Sequence, residues 1–353
     1  MKIKSKKEKI SIYLYNRIID KKYAVGDILP SENELAELFS VSRMTAREAI
    51  TMLINQGLVK REHGKGSFVI SNSPNKKEII LMLPGLVDPK ADDYFYYQTN
   101  LSMTIISMQK TARRLGYNIK IVFSDFRESV EKENLVELVK HRPDALIINV
   151  LGDANNQYLL KTLRDLDVFV VMIDIYDKNL CNGFCVSDNY GGTLKLLEHY
   201  CSEDTGKIEL WTNDRQVSSI FDRIKAYRDF CNKKGIYDEN LLHTVRFNSE
   251  RDMQKVTEEF ILSEKPELEK YDTVFFTTSS LFSGYISALQ KLGIKPSKKY
   301  VCVDKAPDAE KYNLRYLEQN WSEIGTKAIE MIDDYFDGEK DINKEIFIDT
   351  KII

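Results

Sequence analysis

Arg43, Thr45 and Arg47 fall within one short stretch that begins at Ser42. An arginine fork donates two parallel hydrogen bonds to a guanine edge or a phosphate, and a threonine hydroxyl both donates and accepts. Such groups serve that chemistry when a helix opens on them, because its first turns enter the major groove. Ser31 and Asn33, a little upstream, are hydrogen-bonding groups of shorter reach. Downstream, His63, Gly64 and Lys65 sit in the run His63-Gly64-Lys65-Gly66, where glycine permits a tight turn and lysine gives it charge. The competing reading is a solvated arginine face on an ordinary helical hairpin. The charged turn that follows weighs against it.

The elements needed to hold these groups are legible around them. Residues 5–22 carry a helical stripe of Ile10, Leu14, Ile18 and Ile19. Ser31 and Glu34 have capping-box spacing, which starts a second helix with Leu35, Ala36, Leu38 and Phe39 on its apolar side. Ser40-Val41 leaves room only for a tight connection. Ser42 then caps a third helix that sends Met44, Ala49, Ile50, Met52 and Leu53 towards a core. Two β-prone runs, 58–61 and 67–70, flank the glycine turn as a hairpin. Helix, tight turn, helix and hairpin together predict a winged helix-turn-helix.

Charge is divided unevenly along the chain of 353 residues, whose net charge is −3. Residues 1–77 hold 15 Lys+Arg against 8 Asp+Glu, a net +7; the rest hold 36 against 46, a net −10. A basic head on an acidic body confines any nucleic-acid footprint to the head. There is no apolar run of about 18 residues, so no membrane span is expected. The basic opening, MKIKSKKEKI, leads into an amphipathic pattern rather than an apolar one, so no signal peptide is expected and the chain is assigned to the cytoplasm. Cys181, Cys185, Cys201, Cys231 and Cys302 form no CxxC pair and read as reduced, structural thiols. His63, His141, His199 and His243 are scattered; no metal site, catalytic role or cofactor is expected.

Residues 71–77 are polar, contain Pro74, and lack apolar periodicity, which predicts a linker between a head at 1–70 and a body at 78–353. In the body, apolar strands such as 79–83, 145–150 and 168–173 alternate with helical patterns such as 97–115 and 129–140. The alternation resumes after Gly191-Gly192 and runs to a last strand at 345–348. This predicts a doubly wound α/β body of two lobes, with a cleft at the carboxyl ends of the strands. No GxGxxG follows Leu83, and there is no P-loop or nucleophile elbow, which argues against an enzyme.

Two resemblances sharpen these expectations. GDILPSENELAELFSVSRMTAREAI and GLVKREHGKGSFV, residues 26–50 and 57–69, resemble the winged helix-turn-helix of GntR-family bacterial transcription regulators. The resemblance implies operator contacts from Arg43, Thr45 and Arg47, a phosphate contact from Ser31, and a wing of His63, Gly64 and Lys65 in the minor groove. Asn33 replaces an arginine that usually contacts DNA in that family. The body resembles the effector domain of LacI/GalR regulators, related to periplasmic sugar-binding proteins. ARRLGYNIKIVFSD, PDALIINV, VSDNYGG, DRIKAYRDFCNKKGI and Gln319 with the following Ser322-Glu323-Ile324-Gly325 carry it. It implies ligand contacts from Asp174, Ser219, Arg223, Asp304, Gln319 and Trp321, with Phe95 and Tyr96 as further aromatic candidates. The family often has Asn-Asp where this chain has Thr278-Ser279, and it has a glycine before the position of Asp304. The hybrid arrangement is found among regulators of sugar use, arabinose repressors included. It implies a homodimeric repressor on palindromic operator DNA, released by a small sugar. A nucleoside or phosphorylated metabolite as effector, or an activator, remains open. A neutral sugar is favoured because the nearest phosphate cradle, Gly191-Gly192, has only Lys195 beside it.

Overall fold

Three serine-capped helices build the head. Ser5, Ser31 and Ser42 each accept a backbone N–H three residues on, and they start α1 (Lys6–Ile19), α2 (Glu32–Leu38) and α3 (Arg43–Asn55). Ser5 with Glu8, and Ser31 with Glu34, are complete capping boxes. After α3 the chain turns into β1 (Val59–Glu62) and β2 (Gly66–Val69), paired antiparallel from Val59↔Val69 to Glu62↔Gly66. Ile10, Leu14, Ile18, Leu35, Ala46, Ala49, Leu53, Leu58 and Val69 close one apolar core. Two expectations fail here. Met44 and Leu38 are 60% and 61% exposed rather than buried. Ala46 fills the core position near Met44, because a small residue is what the close crossing of α1, α2 and α3 admits.

The computed structural model describes residues 5–72, 77–85, 94–151, 156–201, 205–246, 253–264, 266–268, 270–339 and 344–353; side chains at 94–99 lie outside that description. Most of the expected linker, 73–76, lies outside it too.

The body consists of two six-stranded, mostly parallel sheets. In chain order the first lobe contributes β3 (Glu78–Leu83), α4 (Tyr94–Leu115), β4 (Asn118–Phe123), α5 (Glu128–His141), β5 (Ala145–Ile148), α6 (Gln157–Asp165), β6 (Phe169–Ile173) and β7 (Gly183–Ser187). The second contributes α7 (Asn189–Tyr200), β8 (Ile208–Asn213), α8 (Ser218–Lys233), β9 (Leu242–Val245), α9 (Met253–Glu264), β10 (Thr273–Phe276), α10 (Ser279–Leu292), β11 (Lys299–Val303) and β12 (Arg315–Glu318). The chain then returns as α11 (Trp321–Phe336) and β13 (Glu345–Ile348) to the first lobe, and ends as β14 (Lys351–Ile352) in the second. Sheet orders are β13-β7-β6-β5-β3-β4 and β14-β12-β11-β10-β8-β9. The orders correspond strand for strand, so β6 and β11 hold equivalent places. Continuous apolar runs such as Phe169–Ile173, buried at every residue, are what sheets covered on both faces require.

The lobes are joined by three chain crossings, after β7, β12 and β13. They lie together: the Asp188 N–H donates to the Ile348 carbonyl, and a Cβ on Gly192 would stand 2.3 Å from Thr350 Oγ1 and 2.9 Å from Leu317 Cδ2. Glycine is needed at Gly192 so that the crossings pack against one another. Asp188 caps α7, its Oδ1 accepting from the Gly191 N–H at 2.8 Å. Sequence reasoning placed most strands but not β7, β9, β12 and β14, nor the helix α9. The strand at 345–348 is followed by β14 and is not the last.

Candidate nucleic-acid interface and ligand cleft

The head presents its polar groups on one surface, partly engaged with each other. Arg43, 70% exposed, donates from Nε to Glu32 at 2.9 Å, and Arg61 Nη2 lies 3.4 Å from the same carboxylate. Ser42 Oγ accepts from the Thr45 N–H and lies 2.9 Å from Thr45 Oγ1. Arg47 is exposed on the next turn, and Met44 stands exposed between the arginines. Ser31 Oγ accepts from the Glu34 N–H, which leaves its own hydroxyl proton to donate. Asn33 is exposed on the first turn of α2. At the hairpin tip, Gly64 has φ 73° and Gly66 φ 121°, both in the region that favours glycine. His63 and Lys65 are exposed there, with Lys65 Nζ 3.3 Å from Glu62. Exposed pairs of this kind are worth roughly 0–1 kcal/mol each, so a phosphate can displace the carboxylates.

The second constellation lies between the lobes. Asp174 follows β6 and Asp304 follows β11, and both adopt left-handed backbone, φ 68° and φ 73°. A non-glycine residue held there costs about 1 kcal/mol or more, a strain that collects at functional sites. Each carboxylate meets an amide: Asn149 Nδ2 lies 3.4 Å from Asp174, and Gln319 Nε2 donates to both oxygens of Asp304 at 2.8 and 3.0 Å. Arg223, 4% exposed, is fixed by its own lobe. Its Nε donates to Asn189 Oδ1 and its Nη1 to the Thr277 carbonyl, both at 2.8 Å. Arg215 reaches across the lobes, donating from Nη2 to the carbonyls of Val150 and Leu151 at 3.2 and 3.0 Å. Burial pushes the Asp174 carboxyl above its ordinary range, while Arg215 and Arg223 pull it back.

Of the other expected ligand groups, Ser219 is buried in the first turn of α8, beside Ser218, whose Oγ accepts from the Tyr176 N–H. Trp321 opens α11 and packs on the first lobe's core. The side chains of Phe95 and Tyr96 lie outside the described residues. Sequence reasoning missed Asn149 and Arg215, and read Asp188-Asn189 only as a turn and helix cap, although Asn189 also holds Arg223. The signal for Asn149 and Arg215 was position alone, since each follows the carboxyl end of a strand. Asp174, Arg223, Asp304 and Gln319 do not line either of two neighbouring cavities. One of about 470 Å³ runs between α8 and the ends of β8 and β9, and one of about 210 Å³ lies beside Tyr176 and Val217. The two share Gln216 and Phe221. The converging arginines and carboxylates, rather than the larger void, mark the recognition site, because specificity rests on placed polar groups.

All five cysteines are buried and unpaired, and burial pushes the Cys185 thiol up to about 12. Among the described residues no three His, Cys, Asp or Glu are placed to hold a metal ion, and no helix is long and apolar enough to cross a membrane.

Residues 6–69 match the family described as bacterial regulatory proteins, gntR family. The head is a GntR-family DNA-binding domain. Over 176 residues the chain is 29% identical to an arabinose metabolism transcriptional repressor of Geobacillus stearothermophilus, spanning 48% of this chain and 46% of that one. To the repressor of the same name from Halalkalibacterium halodurans it is 27% identical over 258 residues, 68% of this chain and 65% of the relative. The chain thus spans between about half and two thirds of the curated relatives it matches. A solved periplasmic binding protein/LacI transcriptional regulator from Alkaliphilus metalliredigens, complexed with D-xylulofuranose, has TM-score 0.60 and 20% identity. That likeness covers 79% of this chain and 97% of the other, and it is a likeness of fold. The body behind the GntR head has the two-lobed architecture of LacI/GalR-type regulators.

Proposed function

We propose that the chain is a transcription regulator of sugar metabolism, a cytoplasmic repressor that holds a palindromic operator as a homodimer and releases it when a small carbohydrate occupies the cleft. In this reading 1–70 is the DNA-binding domain, 71–77 a linker and 78–353 the sensor. Arg43, Thr45, Arg47 and Met44 face the major groove, the last offering an apolar contact to a thymine methyl. Ser31 and Asn33 meet phosphates, and His63, Gly64 and Lys65 enter the minor groove.

One observation carries the carbohydrate reading. Asn149 Oδ1, Ser187 Oγ and Trp321 Nε1 are buried polar atoms with no hydrogen-bond partner among the described residues. Each stands at, or just beyond, the end of a strand that leads to the cleft: β5, β7 and β12. Leaving such an atom unsatisfied costs about 1–3 kcal/mol. A polyhydroxylated ligand supplies donors and acceptors in pairs, and Asp174, Arg223, Asp304 and Gln319 bind vicinal hydroxyls by the same chemistry. Ser219 adds a hydroxyl, and Phe95 and Trp321 an apolar cover. The names of the arabinose repressors and the sugar in the Alkaliphilus structure support this class of effector. No catalytic group and no cofactor enter the reading.

The test is a thermal-shift panel on the full chain with pentoses, hexoses, their phosphates and nucleosides. A raised Tm with neutral sugars, lost in Asp174→Asn, supports the proposal, since a ligand at 100 times its Kd adds about 2.7 kcal/mol. Tighter binding of phosphates, lost in Lys195→Ala, overturns the neutral-sugar reading.

A further inference from the structure

The head and the first lobe meet through a small polar cluster. Asn55, the last residue of α3 and 7% exposed, donates from Nδ2 to Asp333 Oδ1 at 3.1 Å. Tyr117, 5% exposed, donates its hydroxyl to the same oxygen at 2.5 Å. Next to them Gly116 has φ 90°, and a Cβ there would stand 3.1 Å from Gln56 Nε2, so the lobe is glycine where the head comes closest. Phe336 packs edge-on against Tyr117 at 5.5 Å between ring centroids. Lys77 Nζ, on the last residue of the linker, lies 5.0 Å from the centroid of Phe336.

Two geometrical facts give this contact meaning. Asn55 is at the opposite end of α3 from Arg43, so the contact leaves the DNA-facing end free. Asp333 is near the far end of α11, whose 16 residues make a rod of about 24 Å. The near end starts two residues after Gln319, which grips Asp304 in the cleft. A single helix therefore runs from the cleft to the recognition helix, packed along α4 on the first lobe.

We propose that the surface formed by Tyr117, Asp333 and Phe336 is a dock for the head, and that α11 carries the state of the cleft to the recognition helix through it. The docked head is the DNA-competent posture: α3 is aimed by the body rather than hanging on the linker. A shift of α11 when the cleft changes breaks the Asn55–Asp333 bond and frees the head to turn. This rests on the sensor reading above for its biological use. The contact and its coupling are tested without any sugar, so failure here is distinct from failure of the ligand panel.

Hydrogen exchange on the full chain decides it. Asn55→Asp sets two carboxylates against each other, and exchange across residues 50–57 and 116–117 should rise about tenfold while β5 and β6 stay protected. Asn55→Asp with Asp333→Asn restores a donor and an acceptor and should bring exchange back to within about twofold of wild type. Gln319→Ala should raise exchange at 50–57 in the native background and add nothing to Asn55→Asp. Wild-type exchange in Asn55→Asp, or no rescue in the double variant, overturns the dock. No response at 50–57 to Gln319→Ala overturns the coupling.

Discussion

Arg223 has structural duties before any ligand arrives, because its guanidinium ties Asn189 and Thr277 together inside the second lobe. Removing it leaves two buried acceptors without their charged donor, and a hydrogen bond of that kind is worth about 1.5–3 kcal/mol. Arg223→Ala should therefore lower Tm markedly as well as abolish any sugar response, and loss of response in it proves little about the cleft. Asp174→Asn is the cleaner variant: near wild-type Tm without sugar, no sugar-induced shift, and operator binding unchanged by fluorescence anisotropy. On the head, Arg43→Ala and Arg47→Ala should each weaken operator binding by about 1–3 kcal/mol if each pairs with a base. Equal affinity in both variants would remove α3 from the recognition surface. Asp333 gives a pH signature. Burial, then Asp334 and Asp337, push its carboxyl from an ordinary 3.8 up to about 6, although the Tyr117 hydrogen bond pulls it down. The folded chain holds this proton longer than the unfolded one, so the group contributes stability below 3.8 that is lost as pH rises through about 6. The difference in stability between wild type and Asp333→Asn, measured by urea titration, should change across that window and flatten outside it.

Among the elements, the hairpin of β1 and β2 makes the sharpest prediction. Lys65→Ala should weaken DNA binding across sequences and reduce the slope of log K against log salt by about one unit per subunit. An unchanged slope would make the wing a packing element. Ser31→Ala removes one arm of a capping box and should cost about 1 kcal/mol of head stability. The helices of the head were legible because their starts are written in local chemistry, Ser5, Ser31 and Ser42 each bonding three residues on. Their faces were less so. Met44 and Leu38 continue an apolar pattern yet point to solvent, since periodicity tells a side chain's angle on the helix but not which neighbours arrive. Strands β3, β5 and β6 announced themselves as apolar runs, whereas β12, with the sequence RYLE, owes its place to pairing with β11.

The whole molecule sets what no local pattern states. Asp174, Arg223, Asp304 and Gln319 are far apart in sequence and are brought near one another only because the two sheets share one strand order, so composition and spacing alone could not assemble them. Resemblance named these four, while Arg215 and Asn149 reach the cleft only through the folded chain. The basic head with its net +7 and the acidic remainder with its net −10 predict that a single head holds DNA weakly. Dimeric full chain should bind a two-half-site duplex at least about a hundredfold more tightly than a half-site duplex, by avidity; equal affinities would argue for a monomer on DNA.

The three crossings also set a timetable for synthesis. The first lobe is not one stretch of gene: β3 to β7 leave the ribosome early, but α11 and β13, which cover and complete their sheet, follow only after all of the second lobe except β14. Until then the edge of β7 that pairs with β13 from Phe184 to Ser187 stands open, along with the apolar face awaiting Ile324, Ala328 and Ile332. An open edge beside an uncovered core invites pairing with another nascent chain. The second lobe, although it begins later, lacks only its edge strand β14 when α11 emerges, and a message truncated after β12 should yield inclusion bodies rather than a smaller soluble protein.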